Sequence, residues 1–194
     1  MNWLAHLLLS EPTSAVRLGG ILPDLVATSR LGALPPDFQR GIKRHHQIDA
    51  YTDSHALFRR SVRRLHPPYR RFGGILVDIF YDHFLARNWP SFSKQALPDF
   101  VAEVYASFES HRQVIPEDVY ALLQKMQAGN WLCSYGDIPG VTEVLRRIGR
   151  RFRRPCDLTP AVSILEHDYQ EFQNDFTEFF PELFAFVFPA PPPS

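Results

Sequence analysis

Two cysteines, Cys133 and Cys156, are the whole thiol content of this 194-residue sequence. Their separation matches no metal-ligand spacing and builds no disulfide framework, so both are expected to be reduced and structural. Long apolar runs are missing too. The apolar opening is interrupted by His6 and then by Ser10-Glu11-Pro12, well short of the roughly 18–20 residues a membrane helix needs. That opening lacks the cationic start and small-residue cleavage site of a secretory signal, so the expectation is a soluble cytoplasmic chain with no membrane partner. Alternating β-branched runs bounded by turn signals, the mark of strands, do not occur. Low complexity is confined to the Pro-rich tail, residues 189–194.

What is present is ordinary for a globular protein: 45% hydrophobic and 22% charged residues, which implies one well-packed domain over residues 1–188. Apolar residues recur at helical spacing, so the fold class is all-α. A short helix is expected over Asn2 to Ser10. A second is expected from Thr13 toward Ser29, irregular where Gly19, Gly20 and Pro23 fall. Pro35-Pro36-Asp37 opens a helix carrying Phe38, Ile42, His45 and Asp49. Thr52-Asp53-Ser54 reads as the cap of the next, with Leu57, Phe58, Val62 and Leu65 inward. The segment from Phe72 to Asn88 puts Ile75, Ile79 and Phe80 on one stripe and Asp78 with Asp82 on its neighbour. Further helices carry Val101 to Phe108, Val119 to Met126 and Val141 to Ile148. A long last helix opens at Thr159-Pro160 and runs inward-facing to Phe186.

Formal net charge is zero, with 21 basic and 21 acidic residues, but the distribution is uneven. Arginine gathers at Arg59, Arg60, Arg63, Arg64, Arg70 and Arg71, and again at Arg146, Arg147, Arg150, Arg151, Arg153 and Arg154. The guanidinium fork suits phosphate and carboxylate, so these clusters fit an anionic partner as well as they fit a solvated helix face.

Histidine and aspartate also gather, all before residue 90: His6, Asp24, His45, His46, Asp49, Asp53, His55, Asp78, Asp82 and His83. Residues four apart share a helix face, so His45 with Asp49, and Asp78 with Asp82, can each address one ion. Imidazole plus carboxylate is the ligand chemistry of Mn²⁺, Fe²⁺ or Mg²⁺. Asp78 lies in Gly-Ile-Leu-Val-Asp-Ile-Phe and His6 in Trp-Leu-Ala-His-Leu-Leu-Leu. Polar groups in such apolar settings need a partner or a cation. Asp53 serves equally well as a helix cap.

Four motifs carry a resemblance: Met-Asn-Trp-Leu-Ala-His-Leu at the start, Gly-Gly-Ile-Leu-Pro-Asp at residues 19–24, Gly-Ile-Lys-Arg-His-His-Gln-Ile-Asp-Ala-Tyr-Thr-Asp-Ser-His at 41–55, and Asp-Ile-Phe-Tyr-Asp-His-Phe-Leu-Ala-Arg-Asn-Trp at 78–89. In order and spacing they resemble the acyl carrier protein phosphodiesterase family, which is similar to the helical HD-domain metal phosphohydrolases. The resemblance implies an HD-phosphohydrolase-like helical bundle. It implies a divalent metal, Mn²⁺ first with Fe²⁺ or Mg²⁺ as alternatives, held by His6, Asp24, His45, Asp49 and Asp82. It further implies active-site roles for His83, Asp78 and Asp53. His46 replaces the family's usual basic side chain and His55 falls where members vary, so neither is made a ligand.

The implied reaction is hydrolysis of the phosphodiester between 4′-phosphopantetheine and a carrier-protein serine. His83 is the candidate general acid and Asp78 an acceptor that orients a ligand imidazole. Arg59, Arg60, Arg63 and Arg64 would dock the acidic carrier protein, with no nucleic acid as partner. Two other readings stay open on sequence: a metal-dependent hydrolase of a nucleotide or other small phosphoester, and a non-catalytic helical module for an acidic partner.

Overall fold

Apolar residues at helical spacing produce helices throughout. The computed structural model describes residues 1–189, and among these there are twelve α-helices, four short 3₁₀ turns and no strand. Apart from Pro189, the proline-rich tail lies outside the described residues. The helices are α1 (Trp3–Leu8), α2 (Ser14–Gly19), α3 (Thr28–Leu31), α4 (Pro36–Ser54), α5 (Ala56–Arg64) and α6 (Gly73–Arg87), followed by α7 (Leu97–Ser110), α8 (Glu117–Ala128), α9 (Trp131–Ser134), α10 (Ile138–Arg151), α11 (Val162–His167) and α12 (Tyr169–Val187). Among the described residues no helix is long and apolar enough to cross a membrane. Both cysteines are free.

The middle of the molecule is α6, whose buried residues include Leu76, Val77, Ile79, Phe80, Tyr81, Phe84 and Leu85. A helix apolar on most of its circumference must be surrounded, and α1, α5, α10 and α12 all pack on it. Helix α4, which packs on α2 and α5, starts with Pro36 in the first turn, where the missing N–H costs nothing. Phe38, Ile42, His45, Ile48 and Thr52 form its buried stripe, which turns the His45 face toward the interior.

The Gly19-Gly20 pair explains itself where α2 crosses α4. A methyl group on Gly41 would lie 2.1 Å from the Val16 carbonyl oxygen, and one on Gly19 would lie 2.3 Å from that of Phe38. Only hydrogen fits between these backbones. The approach brings the Gly20 carbonyl to 2.8 Å from His45 Nδ1, so a packing glycine also aims a functional imidazole. Gly41→Ala is expected to destabilise the fold by about 1–3 kcal/mol through overpacking, measured as a lower Tm with helical content retained.

Several expected boundaries move. The irregular stretch after Thr13 resolves into α2, a 3₁₀ turn over Leu22–Asp24, and α3. No new helix starts at Thr52-Asp53-Ser54. There α4 runs on through Ser54, and His55, in extended backbone, caps α5 by accepting the Leu57 N–H at 3.3 Å. The last helix breaks at Asp168 between α11 and α12. Two expected core residues are exposed: Ile75 at 39%, because it faces a cavity, and Phe186 at 48%, which stacks on Tyr51 near the end of α12.

Part of the first arginine cluster is tied down within the fold. Asp175 of α12 is buried, and it accepts hydrogen bonds from Ser61 Oγ at 2.7 Å, Arg60 Nε at 2.6 Å and Arg64 Nη2 at 3.3 Å. Arg64 also pairs with Glu171, and Arg59 Nε donates to the Asp53 carbonyl. A buried carboxylate needs such neutralisation, so Arg60 and Arg64 fasten α5 to α12.

Candidate metal centre

His6, on the buried face of α1, and His45 and Asp49, one turn apart on α4, place ligand atoms within 4.8 Å of one another. The two imidazole rings stack with centroids 4.0 Å apart. His45 Nδ1 donates to the Gly20 carbonyl, which leaves Nε2 facing two carboxylates: Asp49 Oδ2 at 3.0 Å and Asp24 Oδ1 at 3.9 Å. A backbone acceptor on one ring nitrogen is the usual device that presents the other to a metal. Burial works against charge on His45, yet the Asp49 carboxylate raises its pKa above the ordinary histidine value.

His6 is in the opposite condition. Burial lowers its pKa to about 4, so the ring is neutral. Its Nε2 lies 2.9 Å from the Met1 carbonyl oxygen and 3.2 Å from Asp49 Oδ1, while Nδ1 is buried without a hydrogen-bond partner. Asp49 is opposed by burial, but hydrogen bonds from His45 and His6 and the Met1 ammonium hold it far below the carboxylate range.

The Met1 ammonium completes the cluster at 3.2 Å from Asp49 Oδ1 and 3.0 Å from Asp78 Oδ1. Despite burial, these two carboxylates raise its pKa to about 11. Burial pushes Asp78 up to about 6 against the pull of that ammonium. Met1, Asp24 and Asp78 line an open cavity of about 340 Å³, with Arg151 at its wall. Trp3 Nε1 donates to Asp24 Oδ2 at 3.1 Å and Arg151 Nη2 to the Asp24 carbonyl at 3.2 Å. The residues present fit a divalent cation: two imidazoles and a carboxylate converge, one buried ring nitrogen is unpaired, and Asp24 and Asp78 add negative charge beyond what one ammonium balances.

Three expected participants stand elsewhere. Asp82 is fully buried, and its two oxygens accept the Leu4 N–H at 2.8 Å and the Ala5 N–H at 3.1 Å. These are among the amides that open α1 without intrahelical partners, so Asp82 clamps α1 to α6 and faces that backbone instead of the His6–His45–Asp49 cluster. His83 points away: Nδ1 meets the Tyr135 carbonyl at 2.7 Å and Nε2 the Tyr169 hydroxyl at 2.9 Å. Adjacent residues on a helix diverge by about 100°, and here Asp82 turns to the α1 backbone while His83 turns to Tyr135 and Tyr169. Asp53 is exposed at the end of α4 and reaches the cluster only through its charge, felt at Asp78.

Sequence reasoning missed the Met1 ammonium, the Trp3 indole, the Gly20 carbonyl and Arg151. Trp3 and Gly20 lay inside motifs already singled out, and Arg151 inside the second arginine cluster. Trp3→Phe keeps an aromatic ring facing Trp131 but removes the donor to Asp24. Its expected cost is about 10–100-fold in metal affinity or kcat/KM, the usual scale for outer-shell partners, measured by metal titration and steady-state kinetics.

The family model described as acyl carrier protein phosphodiesterase matches residues 1–183. Among curated proteins, the acyl carrier protein phosphodiesterase of Photorhabdus laumondii is 32% identical over 187 residues, covering 94% of this chain and 93% of that one. The protein of the same name from Yersinia pestis is 30% identical over 184 residues, covering 94% and 95%. No solved structure matches the chain. With the match running through α1 and α4, which carry the His6–His45–Asp49 cluster, the chain belongs to the acyl carrier protein phosphodiesterase family.

Proposed function

We propose that the protein is a divalent-cation-dependent phosphodiesterase that cleaves the bond between 4′-phosphopantetheine and a serine of acyl carrier protein. The observation that carries this reading is the convergence of His6, His45 and Asp49 beside a cavity walled by Asp24, Asp78 and Arg151. A phosphodiester is an anion, and a pocket of carboxylates repels it unless a cation intervenes. His6, His45 and Asp49 would hold that ion, with Asp24 facing the same space, and nitrogen–oxygen ligation of this kind suits Mn²⁺. When bound, the cation supplies Lewis-acid neutralisation of the phosphoryl oxygens and acidifies water.

The chain's own groups do the rest. Gly20 fixes the His45 tautomer, and the Trp3 N–H fixes the Asp24 carboxylate. Arg151 presents a guanidinium fork at the cavity wall for a phosphate oxygen. Asp78, whose pKa lies closer to neutrality than an ordinary carboxylate, handles the proton of the departing serine oxygen, the task that His83 is badly placed to perform. Incubation with holo carrier protein, read by intact-protein mass spectrometry, tests the reading. Loss of the prosthetic group and recovery of free 4′-phosphopantetheine is the expected result. An unchanged carrier alongside rapid hydrolysis of nucleotides or other small phosphoesters overturns the substrate assignment.

A further inference from the structure

Four of the basic groups left unpaired in this fold gather beside the cavity. Arg70, Arg71, Arg153 and Arg154 are exposed and have no acidic partner among the described residues, in contrast to Arg60 and Arg64. They come from two segments far apart in sequence, joined by one contact: Phe72 stacks on Phe152 with ring centroids 5.3 Å apart. Arg71 lies over the Phe72 ring, at 4.6 Å from its centroid. Phe152 lines the cavity together with Ile75 and Arg151, and Ile75 is 39% exposed. An apolar centre with a rim of unpaired arginines, set at the entrance to the site, is the anatomy of a protein-docking surface.

We propose that this rim, Arg70, Arg71, Arg153 and Arg154 around Ile75 and Phe152, docks the acidic surface of the carrier protein that delivers the phosphodiester. The proposal rests on the phosphodiesterase reading and adds the place of contact. A carrier whose serine must reach Asp24 and Asp78 has to cover the cavity mouth, and the charge there is complementary to it. Charges at a rim act mainly on encounter and on salt dependence, so they belong in KM and not in the chemical step. The α5 arginines do not line the cavity, and two of them, Arg60 and Arg64, pair with Asp175 of α12.

Steady-state kinetics on holo carrier protein decide the matter, comparing wild type with Arg70→Glu/Arg71→Glu, Arg153→Glu/Arg154→Glu, and a control, Arg59→Glu/Arg63→Glu. Both rim variants are expected to raise KM at least about tenfold, keep kcat within about twofold, and flatten the fall of kcat/KM with salt. The control is expected to keep the wild-type KM. Glutamine replacements at the same rim positions, folded by circular dichroism, should show a smaller rise in the same direction and decide the case if a reversal variant fails to fold. Turnover by wild type with unchanged KM in the rim variants, or a KM rise confined to the α5 control, overturns the docking site alone. No turnover by wild type overturns the phosphodiesterase reading and the docking site with it. Displacement of the carrier by a single-stranded oligonucleotide at equal affinity would assign the rim to nucleic acid instead.

Discussion

Asp49→Ala is expected to lower kcat/KM on holo carrier protein by at least about 10³-fold, equivalent to ~4 kcal/mol of transition-state stabilisation, and to remove stoichiometric metal. No other carboxylate touches so much of the site: its oxygens lie 3.0 Å from His45 Nε2, 3.2 Å from His6 Nε2 and 3.2 Å from the Met1 ammonium. Without it the two imidazoles lose the acidic member of their ligand set, and the ammonium keeps only Asp78. Asp49 is 37% exposed, so the helical fold should survive, and circular dichroism should show an ordinary spectrum. Asp49→Asn, which keeps shape and loses charge, should fall between. Wild-type turnover in the alanine variant would remove Asp49 from the centre.

The second large effect is on folding. Asp82→Ala is expected to cost about 2–5 kcal/mol, because the Leu4 and Ala5 amides that the carboxylate now satisfies would be left buried and unpaired. At this chain length that is a fall of roughly 5–15 °C in Tm. Asp82→Asn, which keeps one acceptor, should lose less. Burial pushes the Asp82 carboxyl up to about 8 against the pull of those two amides. The assay that separates the roles is metal content of the folded fraction. A positioning role leaves it near the wild-type value while Tm falls; a ligand role removes the metal while Tm holds.

How much of this was legible in the sequence depends on the range of the interaction. His45 and Asp49 are one turn apart, so helical periodicity alone set them side by side. The apolar settings of His6 and Asp78 marked both as polar groups in need of partners, and they meet Asp49 and the Met1 ammonium. Periodicity could not say which partner each would find. His6 meets α4, whereas Asp82 meets the backbone amides of α1, and amides leave no mark on a sequence. His83 is next to Asp82 in its motif, yet its ring meets Tyr135 and Tyr169, contacts that no local spacing reveals. The arginine clusters look alike as strings, and they differ because Asp175, more than a hundred residues away, lies under one of them. The Phe72–Phe152 stack that gathers the unpaired arginines is equally remote.

The fold was legible for a similar reason. All-α architecture follows from local spacing. Boundaries shifted where local signals were outweighed, as at Thr52-Asp53-Ser54, where α4 continued because its buried stripe ends only at Thr52. The break at Asp168 lets α12 turn its aromatic face onto α5 and α6 independently of α11.

The central claim is that His6 and His45 share one ion with Asp49, and equilibrium dialysis against Mn²⁺ tests it without reference to any substrate. One saturable site per chain is predicted for the wild-type protein, lost in the His6→Ala/His45→Ala double variant and kept in His83→Ala. Saturable binding that survives the double variant, or no site in the wild type, would contradict it.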